Sequence, residues 1–258
     1  MRADTRRNLF FVAAPVLLAF LVWGMGGLAP FGHYPGPYGD IMNALAVNER
    51  HVTNVVTAVI FDYRGFDTLG EEFILFASVT GVILLLRHQE GASEDECAPH
   101  SITEKRVGAV NPQASDLTRL GAMAFIPAIL SFGLYTVLTG HLSMGGGFQG
   151  GVILSAAWLL TLLAYGSDAF HACANESILE WFEGGGAAIY ILVGVVPLFL
   201  NHNFLTNVFP LGKTGQLLSS GGIFVINRGV GMEVAAGFLL LLKEFIWPLE
   251  REKPLRRP

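Results

Sequence analysis

The segment Asn54–Glu72 (NVVTAVIFDYRGFDTLGEE) gathers Asp62, Arg64, Asp67, Glu71 and Glu72 at the entrance of an apolar run. Carboxylates switch protonation and offer hard oxygen ligands, so such a cluster suits the handling of protons or sodium. The alternative is a capped helix start in which Arg64 neutralises its neighbours. If Thr68 begins the helix, Thr68 and Glu71 have capping-box spacing. Asp67 and Glu71 then lie four residues apart on one side. A second group, Asn227, Arg228 and Glu233, sits among apolar residues. An ionised group at membrane depth costs at least about 2.5 kcal/mol. Arg228 and Glu233 are about 140° apart on a helix and make a poor pair, so each needs a partner on another helix or subunit. Gly229, Glu233 and Gly237 share one face, which lets a neighbouring helix approach closely. The group is read either as a structural lock between helices or as part of a proton path. The third feature is GHLSMGGGFQGG, comprising Gly140, His141, Gly145, Gly146, Gly147, Phe148, Gln149, Gly150 and Gly151 around Leu142–Met144. Glycine-dense turns cradle phosphates in soluble enzymes; between membrane helices they allow close packing. His141 is the turn's one titratable residue, either a proton relay or a ring bonded to backbone.

The elements that must hold these residues are membrane helices. Charged residues make up 14% of the 258 residues and hydrophobic ones 52%, where soluble domains carry roughly 25% charged residues; the mean hydropathy is +0.50. An all-α integral membrane protein of about six transmembrane helices is expected, with spans at Leu9–Leu28, Thr68–Leu86, Leu120–Thr139, Gly150–Tyr165, Gly184–Leu200 and Gly222–Ile246. The second and fourth have short apolar cores, which limits their tilt. Arg2, Arg6 and Arg7 precede a first run too long for a signal core and without a clear cleavage site, so it reads as a retained span. Pro15, Pro127 and Pro197 fall inside spans and mark kinks or close packing.

Lysine and arginine set the expected orientation. Arg2, Arg6, Arg7, Arg87, Lys105, Arg106, Arg119, Lys243, Arg251, Lys253, Arg256 and Arg257 would share one side, against Arg50, Arg64 and Lys213 on the other. Both termini are therefore expected in the cytoplasm, with the glycine turn facing outward. Polar residues 88–116 read as a cytoplasmic linker between a two-helix unit (1–87) and a four-helix unit (117–258). Ser167–Phe182 reads either as an interfacial helix, with Phe170, Ala174, Ile178, Trp181 and Phe182 on one face, or as a short loop. Cys97 and Cys173 lie in no CxxC pattern, which excludes a disulfide framework and argues against a cysteine-held metal. No nucleophile–base pair, P-loop or dinucleotide fingerprint is present, and no basic patch suggests nucleic acid. Neither a cofactor, a metal nor an enzyme activity is expected. There is no internal repeat of the kind inverted-repeat transporters carry.

Residues 117–166, centred on GHLSMGGGFQGGVILSAAW, resemble the B-type component of the Mrp-type multisubunit cation/proton antiporters (the MnhB family), and the likeness extends with less specificity to NRGVGMEVAAGFLLLL. Residues 52–87, with RGFDTLGE as their specific part, resemble the end of the large A-type component of the same complexes, a module that stands alone in related membrane-bound hydrogenases. The chain thus looks like a fusion of the two. Met144 departs from the proline usual at its position in the family, and the large ion-pumping part of the A-type component is absent. The resemblance implies a multi-pass subunit in a prokaryotic cell membrane. Its expected partners are the A-, C-, D-, E-, F- and G-type components of an Mrp-type complex, or the subunits of a redox-driven membrane complex, with Na+ or another monovalent cation exchanged for protons. Carried over by position, Asp67 and Glu71 are the leading ion-path candidates; Glu233 is a further one, placed by its setting among apolar residues and not by the motif. A purely structural adaptor is the third reading.

Overall fold

In a computed structural model, residues 3–28, 32, 36–91 and 114–251 are described. Among them the chain is helical, and no strand occurs. In chain order the helices are α1 (Ala3–Gly26), α2 (Pro37–Arg50), α3 (Val55–Ala58), a π-helical turn (Val59–Tyr63), α4 (Gly65–Gly91), α5 (Asp116–Thr139), α6 (Gly147–Tyr165), α7 (Ser167–Cys173), α8 (Glu176–Phe199) and α9 (Gly222–Arg251). Two units are distinguished. Met1–Ile41 carries α1 and the first turn of α2; Met42–Pro258 carries the rest. The linker 88–116 falls largely outside the described residues, as do Cys97 and the side chains of Arg2, Arg6, Arg7, Arg87, Lys105, Arg106, Arg251, Lys253, Arg256 and Arg257.

Five described helices are long and apolar enough to cross a bilayer: Gly65–Leu86, Asp116–Thr139, Gly147–Tyr165, Glu176–Phe199 and Gly222–Ile246. Within α1, Phe10–Gly26 is a shorter apolar helix. Each start has a local cause. Ser115 Oγ accepts the Thr118 amide at 3.2 Å to open α5. Asn175 Oδ1 does the same for Ile178 at 3.4 Å to open α8, relieving one of the amides a helix start leaves unpaired. Gly166, at φ +88, separates α6 from α7.

Several expectations are corrected here. The fifth span starts at Glu176 instead of Gly184, because the Asn175 cap lets the helix run through the Gly184–Gly186 triplet. Ser167–Phe182 is accordingly no single interfacial helix or loop. Phe170 and Ala174 are buried against Leu239 of α9, while Ile178, Trp181 and Phe182 are exposed on α8. The second and fourth spans are helices of 22 and 19 residues, longer than their apolar cores. Thr68 does not start a helix: α4 begins at Gly65, and Thr68 Oγ1 donates to the Ile60 carbonyl of the π turn at 2.6 Å, so the capping box with Glu71 does not form. Helix α2 was not anticipated, although Pro37 at its first position, Asp40 in its first turn and Arg50 in its last suit a helix and its dipole.

Helix α9 is the axle of the larger unit. It packs on α4, α5, α6 and α8, and 61% of its span is buried inside the chain, against 11% for α4. Ile223, Ile226, Val230 and Val234 of α9 join Phe61, Tyr190 and Val193 in one apolar core. Tyr190 also donates its hydroxyl to the Gly65 carbonyl at 2.8 Å, fixing the start of α4 to α8. The starts of α4 and α9 and the end of α8 share one face: Asn207 of the loop after α8 reaches both Asp62 and the Gly222 amide. Helix ends without such partners would leave buried backbone groups unpaired.

Candidate functional site

The glycine turn is a packing joint. Gly145 holds φ +135, a conformation side chains disfavour. At Gly147 a β-carbon would collide with the Asn227 carbonyl and lie 2.8 Å from the Gly231 amide of α9. Gly150 meets Val137 and Gly133 of α5, and Gly151 meets Val234 of α9. Asn227 ties the joint together: its Oδ1 accepts the Gly147 amide at 2.7 Å and its Nδ2 donates to the Val137 carbonyl at 2.6 Å. The turn's remaining carbonyls are held by the segment ahead of α4. Thr57 Oγ1 donates to Gly140 O at 2.7 Å, Asn54 Nδ2 to Gly140 O and Ser143 O at 2.8 and 2.9 Å, and Thr53 Oγ1 to Leu142 O. The amides of Thr53 and Asn54 both reach His141 O at 3.2 Å. Met144 is 95% exposed, so the residue that departs from the family pattern takes no part in the joint. Phe148 stacks edge-on with Phe238, and the Gln149 side chain lies over Gly146.

His141 is fully buried, with the backbone of Gln216 and Leu217 at its ring. The aromatic edge of Phe224, 5.5 Å away, packs on its other side. Burial lowers its basicity and the Arg228 charge lowers it further, so the ring is neutral. Arg228 does find a partner on another helix: Nη2 donates to Leu138 O of α5 and Nη1 to Phe224 O, each at 2.7 Å. Its guanidinium also lies 3.3 Å from the Phe224 ring centroid, a desolvated cation–π contact. It is committed there and does not pair with Glu233.

The acidic cluster divides in two. Asp62, Arg64 and Asp67 line a polar cavity of about 710 Å³ together with Arg50, Tyr63 and Asn207. Arg50 Nε stands 2.8 Å from Asp62 Oδ2, and Asn207 Nδ2 is 3.5 Å from it. Burial nevertheless raises the Asp62 carboxyl above the usual carboxylate range, outweighing the pull of Arg50. Arg64 Nε holds Asp67 at 2.6 Å, with both side chains largely in the open. Glu71 is exposed on α4, but its neighbour Glu72 is 6% exposed and turns inward.

Three glutamates lie buried where α4, α8 and α9 meet. They are Glu72, Glu183, also 6% exposed, and Glu233 at 1%. Oε2 of Glu72, Oε1 of Glu183 and both Glu233 oxygens lack hydrogen-bond partners. Buried polar groups without partners are costly and call for an explanation. The charges of Glu72 and Glu183 both reach Glu233. Small residues make room: a β-carbon on Gly186 would stand 2.7 Å from the Glu233 β-carbon, and one on Gly237 would stand 3.4 Å from Glu183 Oε1. Sequence reasoning missed Glu183. The available signal was Glu183 one turn before Gly186, the same pairing of acid and small residue seen at Gly229, Glu233 and Gly237. No cluster suited to a metal ion occurs among the described residues.

Comparison with known proteins bears on this geometry. Residues 117–240 match a family model described as a domain related to the MnhB subunit of the Na+/H+ antiporter. An uncharacterized protein of Methanocaldococcus jannaschii is 32% identical over 237 residues, covering 86% of this chain and 87% of that one. The B component of the Na+/H+ antiporter of Bacillus subtilis is 31% identical over 115 residues, covering 41% of this chain and 80% of its own. Among solved structures, a chain of the membrane-bound sulfane sulfur reductase, an archaeal respiratory membrane complex, superposes with a TM-score of 0.67 at 27% identity, over 93% of this chain and 98% of that one. With the glycine joint at the centre of the matched region, this multi-pass membrane protein belongs to the MnhB family of antiporter subunits.

Proposed function

We propose that this chain is a membrane subunit of a multisubunit monovalent cation/proton antiporter, contributing both to assembly and to an ion path. One observation carries the reading. The GHLSMGGGFQGG joint, central to the region shared with the B-type antiporter component, is clamped by Thr53, Asn54 and Thr57 of the segment resembling the A-type component. Residues 1–87 and 117–258 then act as one fused subunit joined by the linker 88–116. Both termini lie in the cytoplasm, as the lysine and arginine bias requires, and the cavity around Asp62, Arg64 and Asp67 opens outward. Asp62, Asp67 and Glu71 gather cations or protons at that mouth, and Glu72 and Glu233 receive them within the membrane. Arg228 and His141 hold the joint beside the path. The chain is a transporter component that carries out no covalent chemistry.

A tagged chain purified from native membranes is expected to bring antiporter subunits with it. The same chain alone in liposomes is expected to exchange no sodium for protons. Robust sodium/proton exchange by the isolated protein would refute the subunit reading. The likeness to the sulfane sulfur reductase chain favours a second reading, a membrane-arm subunit of a redox-driven pump. Iron–sulfur subunits in the pull-down would select it.

A further inference from the structure

The three buried glutamates occupy successive depths. Glu72 lies about 10 Å along α4 from Gly65, at ~1.5 Å per residue. Glu233 lies about 16 Å along α9 from Gly222, which opens on the same face. Glu183 lies about 24 Å along α8 from Phe199, again measured from that face, and about 10 Å from the opposite end at Glu176. The electrostatics agree with this order. Glu233 feels both of the others, whereas Glu72 feels exposed Glu71 and Glu183 feels exposed Glu180.

We propose that Glu72, Glu233 and Glu183 form a three-step carboxylate relay that carries protons through this chain between its two membrane faces. At the outer end Glu72 lies about 10 Å along α4 from Gly65, which lines the Asp62 cavity, and at the inner end Glu183 feels the charge of exposed Glu180. Ionised carboxylates at this depth without a counter-cation are costly. Arg228, five residues before Glu233 on α9, is engaged by Leu138 and Phe224. Lys243, further along α9, is held 2.6 Å from Glu176. Neutral acids therefore alternate with a transient carboxylate. In each step the O–H bond of one carboxylic acid breaks as an O–H bond forms on the next carboxylate, directly or across one water. The proton and the negative charge move in opposite directions, and nothing is oxidised or reduced. Gly186 and Gly237 let α8 and α9 approach closely enough to bring Glu183 and Glu233 to one seam. Thr68 and Tyr190 stand beside Glu72 at the outer step. The relay deepens the antiporter reading and rests on it for the source of its driving force.

The test uses the native complex in inverted membrane vesicles. N,N′-dicyclohexylcarbodiimide partitions into lipid and modifies protonated carboxyls shielded from water. Peptide mapping is expected to find adducts on Glu72, Glu233 and Glu183, with proton flux lost in step with labelling. Glu183→Gln is expected to lower proton flux at least tenfold, Glu183→Asp to retain part of it, and Asp168→Asn, at an exposed position on α7 away from the relay, to leave it unchanged. An assembled Glu183→Gln complex with unaltered flux overturns the relay. So does labelling that spares Glu183 in the native complex, a result that needs no variant to fold. Labelling reports the relay whether or not sodium drives it. Absence of cation-driven flux in the unmodified complex, with all three glutamates labelled, would instead refute the antiporter reading.

Discussion

Gly147→Ala isolates the packing role of the glycine turn. The added methyl would stand 2.8 Å from the Gly231 amide and closer still to the Asn227 carbonyl, both backbone atoms of α9, whereas ordinary contact begins at 3.4 Å. Backbone cannot swing aside as a side chain can, so α6 and α9 must separate by about 1.3 Å to bring the approach to Asn227 O up to 3.4 Å, at the cost of overpacking a dense interface. That separation also stretches the 2.7 Å bond from the Gly147 amide to Asn227 Oδ1. Overpacking costs about 1–3 kcal/mol, and a weakened buried hydrogen bond adds about 1 kcal/mol. Alanine's better helix propensity returns at most about 1 kcal/mol. The net is about 2 kcal/mol, roughly a thirtyfold fall in the folded-to-unfolded ratio. Gly184→Ala is the control, since a methyl there meets nothing within 4 Å. Unfolding the purified protein by SDS titration in mixed micelles reads the difference. If Gly147→Ala and Gly184→Ala unfold at the same midpoint, the joint is not as tight as described and the packing argument fails.

Asn227→Ala removes both buried bonds at the joint and should destabilise by about 2–4 kcal/mol, seen as loss of a monodisperse peak on size exclusion; retention of the native profile would count against it. Asn54→Ala, which frees Gly140 O and Ser143 O, should cost about 1–2 kcal/mol in the same SDS titration. His141 has a lowered folded pKa, from burial first and Arg228 second. An unfolded histidine near pH ~6.5 binds protons that the folded one refuses. Its stabilising contribution is thus full above that pH and is lost as pH falls toward the lower folded value. Melting temperature should therefore drop more steeply below pH ~6.5 in the parent than in His141→Gln, and parallel curves would exclude the effect. Glu72→Gln should impair coupled transport in the assembled complex more than Glu71→Gln, because Glu72 faces inward and Glu71 is exposed; equal losses would return weight to the exposed cluster.

Long apolar runs carry their own signal, which is why the spans centred on Phe73–Leu86, Leu120–Thr139 and Gly222–Ile246 were legible. Glu183 was not. It precedes Gly184, Gly185 and Gly186, and glycine's poor helix propensity makes such a triplet look like a break. The helix persists because Asn175 caps it and Gly186 packs on Gly229 and Glu233, a tertiary gain that overrides local preference. Helix α2 was obscured by its mixed composition, with charges at Asp40, Glu49 and Arg50 and no continuous apolar run. The inward turn of Glu72 and the outward turn of Glu71 follow from a helix start at Gly65, set by the π turn and the Thr68–Ile60 bond. No capping pattern in the sequence encodes that register.

Helix α9 explains how a packing motif and a charge site belong to one device. Asn227, Gly231 and Val234 lie within about 60° of one another around its axis. They face the glycine joint of α5 and α6. Gly229, Glu233 and Gly237 lie about 200–280° from Asn227, facing Gly186 and Glu183 of α8. The helix is thus bonded tightly on one side and carries an unpartnered carboxyl on the other. A rigid joint fixes the depth and rotation of Glu233, because close-packed backbones leave α9 no room to slide or roll. Loosening the joint should then disturb transport without touching an acid. Gly151→Ala, whose methyl would press on Val234 at 2.8 Å, is expected to assemble yet lose proton flux, with carbodiimide labelling of Glu233 altered relative to Glu72. If flux and labelling both survive while stability falls, the joint serves assembly alone and the two faces of α9 act independently.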